Sequence, residues 1–167
     1  MDRLRRPQKV AGLQGPIDDA FLDAFTVQDG PGCAEAAVAW RRTLRGDFPV
    51  GPDVPGKHRV IFGNYRDPLV AEVAKAAGFA WDASGIRVLD QSFPGERYTL
   101  AFIYPRDGRY VVVNSGFSWA ENAALSNSRH VPLLPDWAVI DTQAKGRMSQ
   151  RVVAAGFFDE RWRLVKP

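Results

Sequence analysis

The sequence predicts an α/β domain: a three-layer open sheet, mainly parallel with an antiparallel pair, and helices on both faces. Three observations carry this. Apolar runs such as Arg59-Val-Ile-Phe62 and Arg109-Tyr-Val-Val-Val113 are short, β-branched or aromatic, and bounded by turn residues, the mark of buried strands. Strand, loop and helix patterns alternate at 59–78 and again at 109–141, which is the repeating unit of open α/β sheets. Tyr98–Tyr104 and Arg109–Val113 flank the turn Pro105-Arg-Asp-Gly108. A connection that short cannot make a parallel crossover, so this pair is antiparallel.

Taken in order, residues 1–16 are polar and basic and read as a linker or tail, ahead of a single domain over 17–167. Ile17, Phe21, Leu22 and Phe25 fit one helical face, although Phe25-Thr-Val27 reads equally as the start of a strand. Asp29-Gly-Pro-Gly-Cys33 breaks the chain before a helix over Ala34–Leu44. After a Pro- and Gly-rich loop comes the strand Arg59–Phe62. Asp67 then caps a helix with Pro68 at its first position, and Gly78 closes it. Phe79–Trp81 and Ile86–Leu89 are short strands around the turn Asp82-Ala-Ser-Gly85, and 90–97 reads as loop. Beyond the hairpin at 98–113, Ser118–Leu125 has a helical pattern and leads through a loop to the strand ending at Asp141. Arg151–Ala155 resembles a last strand, with a terminal aromatic turn at 156–162.

Composition narrows the functional classes. The 167 residues suit one domain with a sizeable core. At 46% hydrophobic and 25% charged, the chain has a soluble globular composition. No stretch approaches the roughly 20 apolar residues of a membrane span, and the basic Met1–Arg6 is not followed by a signal-peptide core. Neither a membrane nor a compartment is therefore indicated. Cys33 is the sole cysteine and His58 and His130 the only histidines, which argues against a Cys/His zinc site. The net charge of +3 comes without interleaved basic and aromatic residues, so nucleic acid is not an expected partner. The glycine turn at 29–33 matches neither the dinucleotide fingerprint nor the P-loop, and no cofactor is expected.

In open α/β sheets ligands bind beyond the carboxyl ends of the strands. The residues there are Asp29 to Cys33 after the first possible strand, Asn64, Tyr65, Arg66 and Asp67 after the second, Asn114 and Ser115 after the central one, and Asp141 after the next, with Arg129 and His130 on a loop within reach of the rim. Ser115, His130 and Asp141 are a hydroxyl, an imidazole and a carboxylate, the parts of a nucleophilic site. The plainer reading is structural. Asn114 and Ser115 would cap a helix, His130 would bond a loop carbonyl, and Asp141 would bond its own turn. Cys33 at a helix start favours a thiolate, against burial as an inert thiol. Asp18 and Asp19 are adjacent and do not face each other on a helix. Trp40, Trp119, Trp137 and Trp162 read as core or docking rings before a sugar platform. Arg66, beside amides at a helix start, suits an anionic small molecule; the alternative is a pair with a neighbouring acid.

Four phrases, Leu13–Phe21, Arg109–Phe117, Asn127–Asp141 and Val153–Trp162, resemble the C-terminal region of bacterial, planctomycete-type proteins of the prolyl-oligopeptidase or α/β-hydrolase-like family. In that family the serine-hydrolase signature belongs to a preceding domain. Gly-x-Ser-x-Gly does not occur here, so no triad is carried over. The turn at Tyr104–Arg109 is shorter than its relatives' Asn- and Pro-rich loop. The resemblance implies an accessory, non-catalytic α/β domain of a serine-hydrolase polypeptide, with the hydrolase catalytic domain as its partner. The alternative is a small free-standing hydrolase of esters or phosphate esters using Ser115, His130 and Asp141, with Asn64, Arg66 or backbone N–H groups at the oxyanion.

Overall fold

In a computed structural model of the chain, residues 24–30, 53–113, 135–146 and 148–166 are described. They form β1 (Phe25–Asp29), β2 (His58–Phe62), α1 (Pro68–Ala76), β3 (Ala80–Asp82), β4 (Gly85–Val88), β5 (Gln91–Pro94), β6 (Tyr98–Arg106), β7 (Arg109–Val113), β8 (Trp137–Asp141), α2 (Met148–Arg151) and β9 (Val152–Gly156). Six strands make one mixed sheet in the order β1-β2-β7-β6-β8-β9, and β3-β4-β5 make a separate antiparallel meander.

This corrects the expected α/β class. The described residues are mainly β, with one nine-residue helix and one of four residues, and no layer of helices on both faces. The large sheet is parallel across β1-β2 and β2-β7 and antiparallel across β7-β6, β6-β8 and β8-β9. Two departures produce it. After α1 the chain builds the meander instead of returning at once to the sheet. β8 then pairs with β6, not with β7, so the hairpin's first strand lies between two strands of the same direction. The helices expected at 34–44 and 118–125 lie outside the described residues. Phe25–Val27 is strand, and the expected loop 90–97 contains β5.

Local chemistry explains the elements that position the site. Asp67 accepts from the amides of Leu69 and Val70 at 2.9 and 3.2 Å, supplying partners for two of the donors a helix start leaves open. Pro68 needs no donor at the first position. Val70, Val73 and Ala74 are the buried stripe of α1. Gly63 lies against this helix, where a Cβ would come 3.2 Å from Val70 Cγ2. Tyr104 donates its hydroxyl to the Ala76 carbonyl at 3.1 Å, and Phe79 packs on Phe102 and Trp137 at 5.2 and 6.0 Å between centroids. These contacts tie the C-terminal end of α1, and Phe79 just after it, to β6 and β8.

The β6–β7 hairpin closes through Asp107 and Gly108, both at positive φ (53° and 73°), with Arg106 opposite Arg109. A two-residue Asp-Gly loop with both residues left-handed is the turn whose twist matches the strands. Pro105 stands inside β6, where a missing N–H would break a ladder. It is tolerated because of position. Ile103 donates toward β8, to the Asp136 carbonyl at 2.9 Å. Residue 105 would be the next donor on that side, and the β6–β8 pairing stops at Phe102–Trp137. Leu100–Ile103, Tyr110–Val113 and Trp137–Asp141 are all buried, so the middle of the sheet is covered on both faces.

Candidate functional site

Among the described residues, a pocket with the chemistry of a binding site opens at the end of the sheet where β2 and β8 finish and β6 begins. It has a volume of about 230 Å³. Asn64, Tyr65 and Arg66 reach it from the β2–α1 loop. Trp81 and Asp82 come from β3, and Gly95 and Glu96 from the segment after β5. Tyr98, Thr99 and Thr142 complete it at the β6 and β8 ends. Tyr98 and Asp141 are paired across β6 and β8, which brings Thr142 to the start of β6; the Thr142 hydroxyl donates to the Arg97 carbonyl at 2.6 Å.

Its charges are partnered within the chain. Arg66 donates to Glu96 at 2.5 Å, and the Tyr65 hydroxyl donates to the same carboxylate oxygen. The Arg66 guanidinium also lies 5.0 Å from the centre of the Tyr65 ring, within range of a cation–π contact. Bonding to Glu96 raises the Tyr65 hydroxyl pKa above the usual phenol value. Asp82 accepts from the Ser84 hydroxyl and amide at 2.5 and 2.7 Å, and those bonds, the hydroxyl's first, hold its pKa below the usual carboxylate value. Tyr65 meets Trp81 edge-on, at 65° with centroids 6.2 Å apart. The two rings form a corner, with Asn64 and Asp82 beside them.

The geometry bears on the expected anion site. The open amides of α1 are taken by the chain's own Asp67. Asn64 accepts from the Arg66 amide at 2.9 Å, and Arg66 is held by Glu96. The loop amides and the arginine are therefore already supplied with carboxylate and amide oxygens. The lining carries one arginine against two carboxylates, which is a poor field for an anion.

Of the residues expected to be catalytic, Asp141 is described. Arg97 donates to both its oxygens, through Nε at 2.8 Å and through Nη2. Oδ1 also accepts from the Gln143 and Ala144 amides at 2.9 and 3.2 Å. The Arg97 bond is the first cause that lowers its pKa to about 2. Asp141 thus ends a strand by binding an arginine and its own turn. Ser115, His130, Asn114 and Arg129 lie outside the described residues, as do Cys33, Asp18, Asp19, Trp40 and Trp119. Trp137 and Trp162 are buried core rings. His58 is buried at the other end of β2, where its Nδ1 accepts from the Tyr110 amide at 3.1 Å.

Sequence reasoning named Asn64, Tyr65 and Arg66, and the structure brings these three together on one pocket wall. It missed Trp81, Asp82, Glu96, Tyr98, Thr99 and Thr142. The turn Asp82-Ala-Ser-Gly85 beside a tryptophan was the available local signal; the rest depends on the meander folding back on the β2–α1 loop.

Among the described residues no three His, Cys, Asp or Glu side chains are grouped to hold a metal ion, and no helix is long and apolar enough to cross a membrane. No family model matches the sequence, no curated protein matches it, and no solved structure matches its fold. No comparison supplies support for the prolyl-oligopeptidase-family and hydrolase-associated expectations, and the α/β fold expected with them is corrected by the mainly β architecture of the described residues.

Proposed function

We propose that the chain is a non-catalytic accessory domain that holds a small polar ligand in the pocket between the β2–α1 loop and the meander. One observation carries this reading. The ionisable side chains of the pocket and its rim are already bonded within the chain: Arg66 and Tyr65 to Glu96, Asp82 to Ser84, and Asp141 to Arg97. Asp82 and Asp141 lie below the usual carboxylate value and Tyr65 above the usual phenol value. General acid–base catalysis calls for the opposite, a group tuned toward the working pH. A concave site with rings on one wall and fixed hydrogen-bonding groups on the others is instead the make-up of a binding pocket.

The test pairs turnover with binding. Chromogenic esters and phosphate esters are expected to show no hydrolysis above buffer. Small neutral, cationic and anionic ligands titrated into isotope-labelled protein are expected to shift the Trp81 indole resonance and the amides of residues 64–66 and 95–99. Turnover abolished by Ser115→Ala or His130→Ala would replace this reading with a hydrolase.

A further inference from the structure

We propose that the ligand of this pocket is a neutral saccharide, seated with one sugar ring against Trp81. The inference rests on the binding reading above and names the class of ligand.

Charge comes first. Arg66 and Glu96 are an ion pair at 2.5 Å, so they cancel most of each other's field toward a third group. A phosphate would meet Asp82 and Glu96, and an ammonium would meet Arg66. A neutral ligand meets neither obstacle, and its hydroxyls both donate and accept. Asp82, Glu96 and the Thr142 hydroxyl oxygen offer acceptors, Arg66 offers donors, and the Asn64 amide offers both. Such a mixed set suits a polyol better than a ligand of a single hydrogen-bonding sense.

Shape comes second. Tyr65 and Trp81 make a corner, 65° between planes. Arg66 lies over the Tyr65 ring and Arg97 over the Tyr98 ring, at 5.0 and 5.8 Å. Trp81 is half-buried at the pocket wall, in the three-residue strand β3. The negative face of an indole attracts the polarised C–H groups of a sugar face. The volume, about 230 Å³, falls below the roughly 300–1,000 Å³ of pockets for drug-sized ligands. It suits one ring, with a longer chain leaving through the open side.

The experiment uses the full chain and a panel of glucose, galactose, N-acetylglucosamine, mannose and xylose, with their β-linked disaccharides, beside inorganic phosphate and arginine amide. Binding is read by chemical-shift titration at millimolar ligand. At least one saccharide is expected to move the Trp81 indole and the 64–66 amides saturably. Trp81→Leu is expected to weaken that saccharide about tenfold, the scale of a lost aromatic contact. Trp81→Phe, which keeps a ring, is expected to restore most of it. Dispersed spectra of both variants separate lost binding from lost folding. Saturable shifts with phosphate or arginine amide and none with any sugar would overturn the saccharide class while leaving a binding pocket. No shift at these residues with any probe would overturn the pocket reading as well. Equal saccharide binding by Trp81→Leu and the parent would remove Trp81 as the platform and the proposal with it.

Discussion

Asp141 is one of the residues through which the fold responds to acid. Its pKa falls from the ordinary 3.8 to about 2, chiefly because Arg97 bonds its carboxylate. The unfolded chain therefore takes up this proton before the folded one does. Stability from the pair is complete above about pH 4 and is lost as pH falls through the folded value near 2. Urea midpoints measured from pH 6 to pH 2 should fall over this window. Asp141→Asn should be less stable than the parent at pH 6 and should show a shallower fall. Parallel curves for the two proteins would mean that the pair does not contribute. The same residue shows what sequence can yield at this scale. A strand-ending aspartate bonding its own turn was readable, because the acceptor and the amides are neighbours in the chain. Arg97 was not, since 44 residues separate it from its partner.

At the scale of elements, β9 sits at one edge of the large sheet and depends on an absent side chain. A Cβ on Gly156 would lie 2.7 Å from Cζ2 and 3.0 Å from Cε2 of Trp137, the residue it pairs with. An indole clamped in the core has no flexible end to yield. Gly156→Ala should therefore destabilise the protein by about 1–3 kcal/mol, the usual range for overpacking, read from the denaturation midpoint. An unchanged midpoint would show that the strand edge can shift. Elements with a local signature were the ones the sequence disclosed. Asp67, Pro68 and Gly78 bound α1, and Asp107-Gly108 makes the hairpin turn. β5 was missed because Gln91-Ser-Phe-Pro94 has its exposed residues at 91, 92 and 94 and ends in a proline, which counts against a strand reading. The pocket divides in the same way, with the loop 64–66 following from a strand-to-helix junction and its opposite wall from tertiary placement.

Across the molecule, stability is unevenly shared. β2, β6, β7 and β8 contain Val60, Ile61, Leu100, Ile103, Val112, Val113 and Ile140 with 0% exposure. The meander joins this core mainly through Ile86 and Val88, while most residues of β3 and β5 are half-buried or exposed. Native-state hydrogen exchange in low urea should find β6 and β7 amides opening with global unfolding, and β3 and β5 amides at lower free energy. Equal opening energies would make the two sheets one cooperative unit. The order of strands, and with it the fold class, was beyond the reach of the sequence. Periodicity marks a strand but not its neighbour, and a helical pattern between two strands does not prevent a third from lying between them.

Pro105 has a bearing on how β6 and β8 find their alignment. Shifting β8 along β6 by one residue would turn its side chains to the wrong face, and burial forbids that. A shift of two residues restores the facing, and both strands are apolar enough to accept it. Slid that way toward the hairpin, the Asp136 carbonyl would leave the Ile103 amide and meet Pro105, which has no hydrogen to give. A buried carbonyl without a donor costs about 1–3 kcal/mol. The proline therefore acts as a stop at the end of the track, rejecting in one direction the slippage that the apolar pattern alone would let pass.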